Sequence, residues 1–248
     1  MDKNKIGVVI LAAGKGTRLG CTDKPKVMLE IGGKPIVSYV VEVLKQLGFE
    51  KDHITLVVGF FKETVMNYFG DTVSYAIQAE QKGTAHAAYT GMVALPPEVE
   101  QVLVIQGDDS AFYTPETIQH IIHEHQKDDH VLSLVTMSVE DPASLGRIVR
   151  HADGRVEIIE KEYTTDEQKK ITEISTGTFM FDRKWFESMF PTMPMLRKLG
   201  EYGLPTALAV ARDTGAKHQV IQLDDPSVWF GVNTVDELEE ADRRKRNT

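Results

Sequence analysis

The 248-residue chain has one cysteine, Cys21, and no Cys-x-x-Cys pair or Cys/His spacing. It cannot form an intramolecular disulfide and has no ligand set for structural zinc, so a reducing, cytoplasmic setting is expected. Long apolar runs are missing too: the longest, such as residues 8–13, fall far short of the ~18 residues that a membrane helix needs. Residues 6–13 follow Lys3 and Lys5 as a secretory leader might begin, but the run is short and Gly14, Lys15 and Gly16 interrupt it. Net positive charge is absent, since 28 Lys and Arg against 37 Asp and Glu leave −9. Holding nucleic acid through its phosphates takes clustered cations. The only basic cluster, Arg243 to Arg246, ends a charged helix, where cations complement the helix dipole. Neither a nucleic-acid nor a membrane partner is expected. Low-complexity tracts and solenoid repeats are lacking as well.

What is present is enough apolar residue for a substantial core, at 42% of a chain this long. The continuous apolar run 7–11 ends in glycines and reads as a strand buried on both faces. After Pro35, Val37, Val40, Val41, Leu44 and Leu47 fall at helical spacing, with Gly48 as C-cap. Strands are then expected at Ile54–Val58, 73–78, 102–105 and 131–138, alternating with helices at Lys62–Phe69, 84–95 and Pro115–Gln126. From Gly146 the texture changes to short strands, Arg147–Arg150 and 156–160 around Asp153-Gly154, then 174–181. Residues 220–223 and a helix at Val235–Arg246 close the chain. The pattern predicts an α/β, Rossmann-like fold: a mostly parallel mixed sheet with helices on both faces and a small β-rich lobe beside it. Ligand-binding groups then belong at strand C-termini.

Directly after the first strand comes Leu11-Ala12-Ala13-Gly14-Lys15-Gly16-Thr17-Arg18-Leu19-Gly20. Its glycines let backbone N–H groups converge on an anion, and Arg18 adds a fixed cation. It is neither a dinucleotide fingerprint, because Leu19 stands where the third glycine belongs, nor a Walker A loop, because no Gly-Lys-Ser/Thr occurs. An ordinary glycine-rich turn is the plain alternative. Lys24-Pro25-Lys26 places a lysine close behind that loop, and a solvated basic turn is its plain alternative. In 78–87, QAEQKGTAHA, the amides of Gln78 and Gln81 both donate and accept, as a base edge requires, with a close backbone at Gly83 and a helix start at Thr84; a plain polar helix entry is its alternative. Asp108 follows a core strand and Gly107, so its carboxylate should emerge at the ligand-binding edge; without further support it would be read as a cap or turn residue, and Asn233 as a helix cap. His120, His123 and His125 form no zinc motif and are read as the solvated face of a helix whose buried stripe is Ile118, Ile121 and Ile122. Cys21 is read as a loop residue.

Taken in order, LAAGKGTRL, KPKVMLEIGGKPI, QAEQKGTAHA, Gln106-Gly107-Asp108, the run from Asp141-Pro142 to Gly146-Arg147-Ile148, Ile159-Glu160-Lys161, Thr165 to Gln168, Ser175-Thr176-Gly177 and Gly231-Val232-Asn233 resemble the sugar-phosphate nucleotidyltransferases. Within them the chain resembles the uridylyltransferase domains of bacterial N-acetylglucosamine-1-phosphate uridyltransferases along nearly its whole length. The resemblance implies one nucleotidyltransferase domain over 1–248: a nucleotide-binding part (1–140), a sugar-binding β-rich part (141–230), and a metal-ligand turn with the last helix (231–248). It implies Arg18 and Lys26 as catalytic cations. Nucleotide contacts fall to Leu11, Ala12, Ala13, Gly14, Lys26, Gln78, Gln81, Gly83, Thr84, Gln106, Gly107 and Asp108. Sugar contacts fall to Gly146, Glu160, Ser175 and Thr176, and Mg²⁺ to Asp108 and Asn233. The implied substrates are UTP and a sugar 1-phosphate, N-acetylglucosamine 1-phosphate first, giving a UDP-sugar and pyrophosphate.

Three departures bear on that expectation. Asp109-Ser110-Ala111-Phe112 stands where the family has an apolar residue and proline, Ser175 replaces an asparagine, and Gly203 to Thr206 replace a Tyr-rich continuation. Two of the three lie in the sugar half. The same chemistry with dTTP or glucose 1-phosphate, or a catalytically silent nucleotide-sugar sensor, therefore stays open. A NAD-dependent oxidoreductase is disfavoured by the glycine spacing. With no hexapeptide β-helix in 248 residues, no acetyltransferase activity is expected.

Overall fold

The computed structural model describes residues 2–16, 19–142, 145–196 and 200–247. Strand β1 (Ile6–Ala12) is buried throughout because its two faces feed different cores: Ile6, Val8 and Ile10 pack into one, Val9 and Leu11 into the other. An unbroken apolar run is what such a strand needs. The remaining strands are β2 (Glu30–Ile31), β3 (Lys34–Pro35), β4 (Ile54–Val58), β5 (Ser74–Ile77), β6 (Gln101–Gln106), β7 (Leu132–Ser138), β8 (Arg147–Arg150), β9 (Val156–Ile159), β10 (Glu173–Asp182) and β11 (His218–Leu223). Apart from the separate hairpin β2–β3 they make one sheet in the order β11-β7-β10-β6-β1-β4-β5. β6, β1, β4 and β5 run parallel, β10 is antiparallel between β6 and β7, and β11 is parallel to β7. The hairpin β8–β9 is continuous with this sheet through the pairing of Arg147 with Ile174, so the β-rich lobe is an outgrowth of the main sheet.

Helices α1 (Ile36–Gln46), α2 (Lys62–Phe69) and α4 (Pro115–Gln126) cover one face, and α3 (Thr84–Met92), α5 (Arg183–Met189) and α6 (Leu204–Asp213) cover the other. In α1 the predicted stripe Val37, Val40, Val41 and Leu44 is buried. Each such side chain contributes about 1.5–3 kcal/mol by leaving water. Helix α3 ends at Met92, short of the expected 95. Helices α5 and α6 have no counterpart in the sequence reading. The seven residues of α5 span too few turns for a periodic signal; Asp182 caps it by accepting from Trp185 N at 2.7 Å.

Helix α7 (Val235–Arg246) docks on the β2–β3 hairpin through a third, small core of Ile31, Ile36, Ala111, Val232 and Ala241. Gly32 N donates to Asp242 Oδ1 at 2.8 Å, and the Lys245 ammonium lies over the rings of Tyr39 and Phe112 at 4.3 and 4.5 Å. A capping box closes its start: Glu237 N donates to the Thr234 hydroxyl, while Glu237 Oε2 accepts from Thr234 N at 2.8 Å and from Asn233 N at 2.6 Å. The cap thereby holds Asn233 in place.

Candidate active site

The carboxyl ends of β1, β4 and β6 stop side by side, with Leu11 paired to both Val57 and Gln106. Gly107 N donates to Leu11 O at 3.0 Å, which brings the residues after β6 against the loop after β1. Gln78 N donates to Val58 O at 2.8 Å, which anchors the segment after β5 beside them. Between these turns lies a cleft of about 270 Å³. Of the residues expected to hold a nucleotide, Leu11, Ala13, Gly14, Lys26, Gln78, Gln81, Gly83, Thr84, Gln106 and Asp108 line it. Ala12 and Gly107 are buried behind the wall. Arg18 lies outside the described residues.

At one end, Lys26 follows Pro25 on a single 3-10 turn, Lys26–Met28. Its side chain is largely buried, and Nζ lies 2.5 Å from Asp108 Oδ2 and 3.0 Å from Asn233 Oδ1. Burial works against its charge, yet Asp108 and Asp109 outweigh burial and the ammonium pKa ends raised. Burial, then the neighbouring Asp108 carboxylate, push Asp109 up to about 8; its Oδ1 accepts from Val232 N at 3.3 Å. The extra carboxylate read from the sequence thus ties the Asp108 turn to the segment carrying Asn233.

At the other end, Gln81 Nε2 donates to Ala13 O at 2.5 Å, and Gln78 Nε2 reaches Gly83 O at 3.1 Å and His86 Nδ1 at 3.0 Å. Gly83 adopts φ +96, and a Cβ there would fall 2.5 Å from Tyr202 O, so only glycine fits. Tyr202 N donates to Lys82 O, Ala85 N to Tyr202 O and Leu204 N to Thr84 Oγ1. These bonds stitch 202–204 onto residues 82–85 and bring Glu201 into the cleft wall. Neither Glu201 nor His86 was picked out as a site residue from the sequence. Glu201 carries no local signal; His86, inside the quoted QAEQKGTAHA, is one helical turn beyond Gly83.

The predicted sugar residues are less tightly grouped. A Cβ on Gly146 would lie 3.5 Å from Glu160 Oε2, so these two are neighbours at the base of the β8–β9 hairpin. Ser175 Oγ accepts from Gly177 N at 3.2 Å where the β10 register shifts, and Gly177 packs against Gln106 of the cleft. Thr176 is buried, its hydroxyl donating to Val135 O at 3.0 Å, which leaves no free hydroxyl hydrogen for a ligand. Beyond Lys26, a second cleft of about 540 Å³ is lined by Asn233 together with Asp141, Leu145 and Trp229. The Lys26–Asn233 contact joins the walls of the two clefts.

The histidine reading is corrected in one member. His120 and His123 are exposed, but His125 is fully buried, with Nδ1 2.7 Å from Ser133 Oγ, because the helix turns it inward with Ile118, Ile121 and Ile122. Among the described residues, no three His, Cys, Asp or Glu side chains cluster in a way that could hold a metal ion. No helix among them is long and apolar enough to cross a membrane.

Known proteins share both sequence and fold with this chain. It is 35% identical over 236 residues to the bifunctional protein GlmU of Halalkalibacterium halodurans, and 37% identical over 245 residues to that of Symbiobacterium thermophilum. The alignments cover 95% and 97% of this chain and 51% of each relative, so the chain spans about half the length of these relatives. The fold matches a crystallised candidate glucose-1-phosphate thymidylyltransferase from Bacillus anthracis with TM-score 0.78 and 22% identity over 98% of this chain and 96% of that one. It also matches HddC from Yersinia pseudotuberculosis, complexed with GMP-PN, with TM-score 0.73 and 21% identity over 96% and 98%. The resemblance read from the sequence is thus borne out. The profile of the MobA-like NTP transferase domain matches residues 8–189, most of the chain, and the protein therefore belongs to that nucleotidyltransferase family.

Proposed function

We propose that the chain is a Mg²⁺-dependent uridylyltransferase that joins UTP to a sugar 1-phosphate, N-acetylglucosamine 1-phosphate foremost, releasing pyrophosphate and a UDP-sugar. The observation carrying this reading is the Lys26 ammonium held between Asp108 Oδ2 and Asn233 Oδ1, beside amides suited to a base and where two clefts adjoin. A carboxylate and an amide oxygen already bracketing one cation fit Mg²⁺, which takes few oxygen ligands from protein and keeps water and phosphate for the rest. Bound there, Mg²⁺ would neutralise the phosphate oxygens of both substrates.

No side-chain nucleophile is required. An oxygen of the sugar phosphate attacks the α-phosphorus, the bond to the β-phosphate oxygen breaks, and pyrophosphate departs with the electron pair. The chain's residues position and stabilise. Lys26 and the N–H groups of the loop at Gly14 hold the triphosphate, with Arg18 as the second cation. Gln78, Gln81 and Gly83 face the base; Gly146, Glu160 and Ser175, with the backbone at Thr176, face the sugar. Glucose 1-phosphate as acceptor is the second reading, favoured by Ser175, whose one hydroxyl is already engaged by Gly177 N. A panel of nucleoside triphosphates against sugar 1-phosphates with Mg²⁺, scored by pyrophosphate release, tests both. UTP with N-acetylglucosamine 1-phosphate should lead. A faster pair replaces the proposed substrates, and binding without turnover for every pair makes the protein a sensor.

A further inference from the structure

Gln78 is 95% buried, its relative exposure being 5%, and its amide orientation is dictated by its neighbours. A backbone carbonyl only accepts, so the atom 3.1 Å from Gly83 O is the amide nitrogen. The same nitrogen lies 3.0 Å from His86 Nδ1, so Nδ1 accepts, and His86 is neutral with its hydrogen on Nε2. Burial, then Lys82, hold the His86 pKa below its usual value, against the weaker pull of Glu80. Both amide hydrogens are thereby consumed inside the protein. The remaining polar atom, Oε1, has no hydrogen-bond partner among the described residues, is not sealed from solvent, and belongs to a side chain lining the nucleotide cleft.

We infer that His86 is a positioning residue for base selection: its bare Nδ1 locks Gln78 with only a carbonyl oxygen toward the nucleotide, so the site takes a pyrimidine carrying a ring N–H, uracil or thymine, and rejects cytosine. Uracil and thymine offer N3–H to Oε1. Cytosine N3 is itself an acceptor, and two lone pairs then face each other in a confined site. Turning the amide over to suit cytosine sets Oε1 against Gly83 O, and against His86 Nδ1 as well unless the imidazole also shifts its hydrogen from Nε2 to Nδ1. Selectivity of this kind rests on what the protein denies the wrong base. The inference rests on the nucleotidyltransferase reading of the cleft and is indifferent to the sugar. Guanine also carries a ring N–H, so the informative contrast is pyrimidine against pyrimidine.

The experiment is calorimetric binding of UTP, dTTP and CTP with Mg²⁺ to the wild-type chain, His86→Leu and His86→Asn, with circular dichroism to verify folding. The wild type should favour UTP and dTTP over CTP. His86→Leu removes one of the two acceptors that fix the amide, so UTP-to-CTP discrimination should fall by about tenfold, the equivalent of one hydrogen bond. His86→Asn, whose Oδ1 can stand where Nδ1 stood, should keep the ratio within about twofold of wild type, since one acceptor replaces another. An unchanged ratio in His86→Leu overturns the role of His86 and leaves the uridylyl reading intact. Preference of the wild type for CTP, or no nucleotide binding at all, overturns the reading of the cleft and the inference with it.

Discussion

Acidification should weaken the fold through His125. The ring is fully buried, Nδ1 is paired with Ser133 Oγ, and Nε2 has no partner among the described residues. Protonation would place a charge and a second N–H where nothing accepts it. Burial, then the nearby His130, push the His125 pKa from 6.5 to about 4. Between those values the unfolded chain binds more protons than the folded one, so stability rises with pH. The contribution is complete above the unfolded value of 6.5 and is lost as pH falls toward 4. A separation of about 2.5 units is worth about 3 kcal/mol in the acid limit, of which roughly 2 kcal/mol is lost by pH 5. Urea unfolding of the wild-type chain and His125→Gln at pH 7.5 and 5.0 isolates the effect, because the other titrating groups are common to both. The advantage of the wild type should shrink by about 2 kcal/mol on acidification. A difference that stays constant to within roughly 0.5 kcal/mol would refute the reasoning.

Asp108→Ala should abolish pyrophosphate release and weaken Mn²⁺ binding measured by electron paramagnetic resonance, with the fold intact; near-normal turnover would sink the metal assignment. Gly83→Ala puts a Cβ 2.5 Å from Tyr202 O at φ +96, so it should cost about 1–3 kcal/mol of strain and raise KM for the nucleotide more than it lowers kcat. An unchanged KM would mean that 202–204 does not shape the base site. Glu237→Ala deletes the acceptor for Asn233 N and Thr234 N; a stability loss of about 1–2 kcal/mol with weaker Mg²⁺ dependence of turnover is expected. Unaltered metal dependence would show that the cap does not position Asn233.

How much was legible in the sequence varied with the range of the interaction that decides each feature. Strand β1, the stripe of α1 and the extent of α7 rest on local periodicity and caps, and the residues alone place them correctly. Helix α6 begins with Pro205 in its first turn, a readable start signal, but its apolar residues mattered only once β11 and β7 were there to receive them. His125 was misread because a helical face is solvated or buried according to what packs on it, and β7 and β11 pack there.

The order of motifs along the chain established the nucleotidyltransferase family, the strand-end loops and ten of the fourteen residues that line the first cleft, because these lie in short segments following core strands. Tertiary structure alone decided the rest. Lys26 and Asn233 are 207 positions apart in the chain yet hydrogen-bonded, and Tyr202 pairs with Lys82 from 120 positions away. Contacts of that kind depend on how the sheet folds the chain back on itself, and no local pattern of residue types records them.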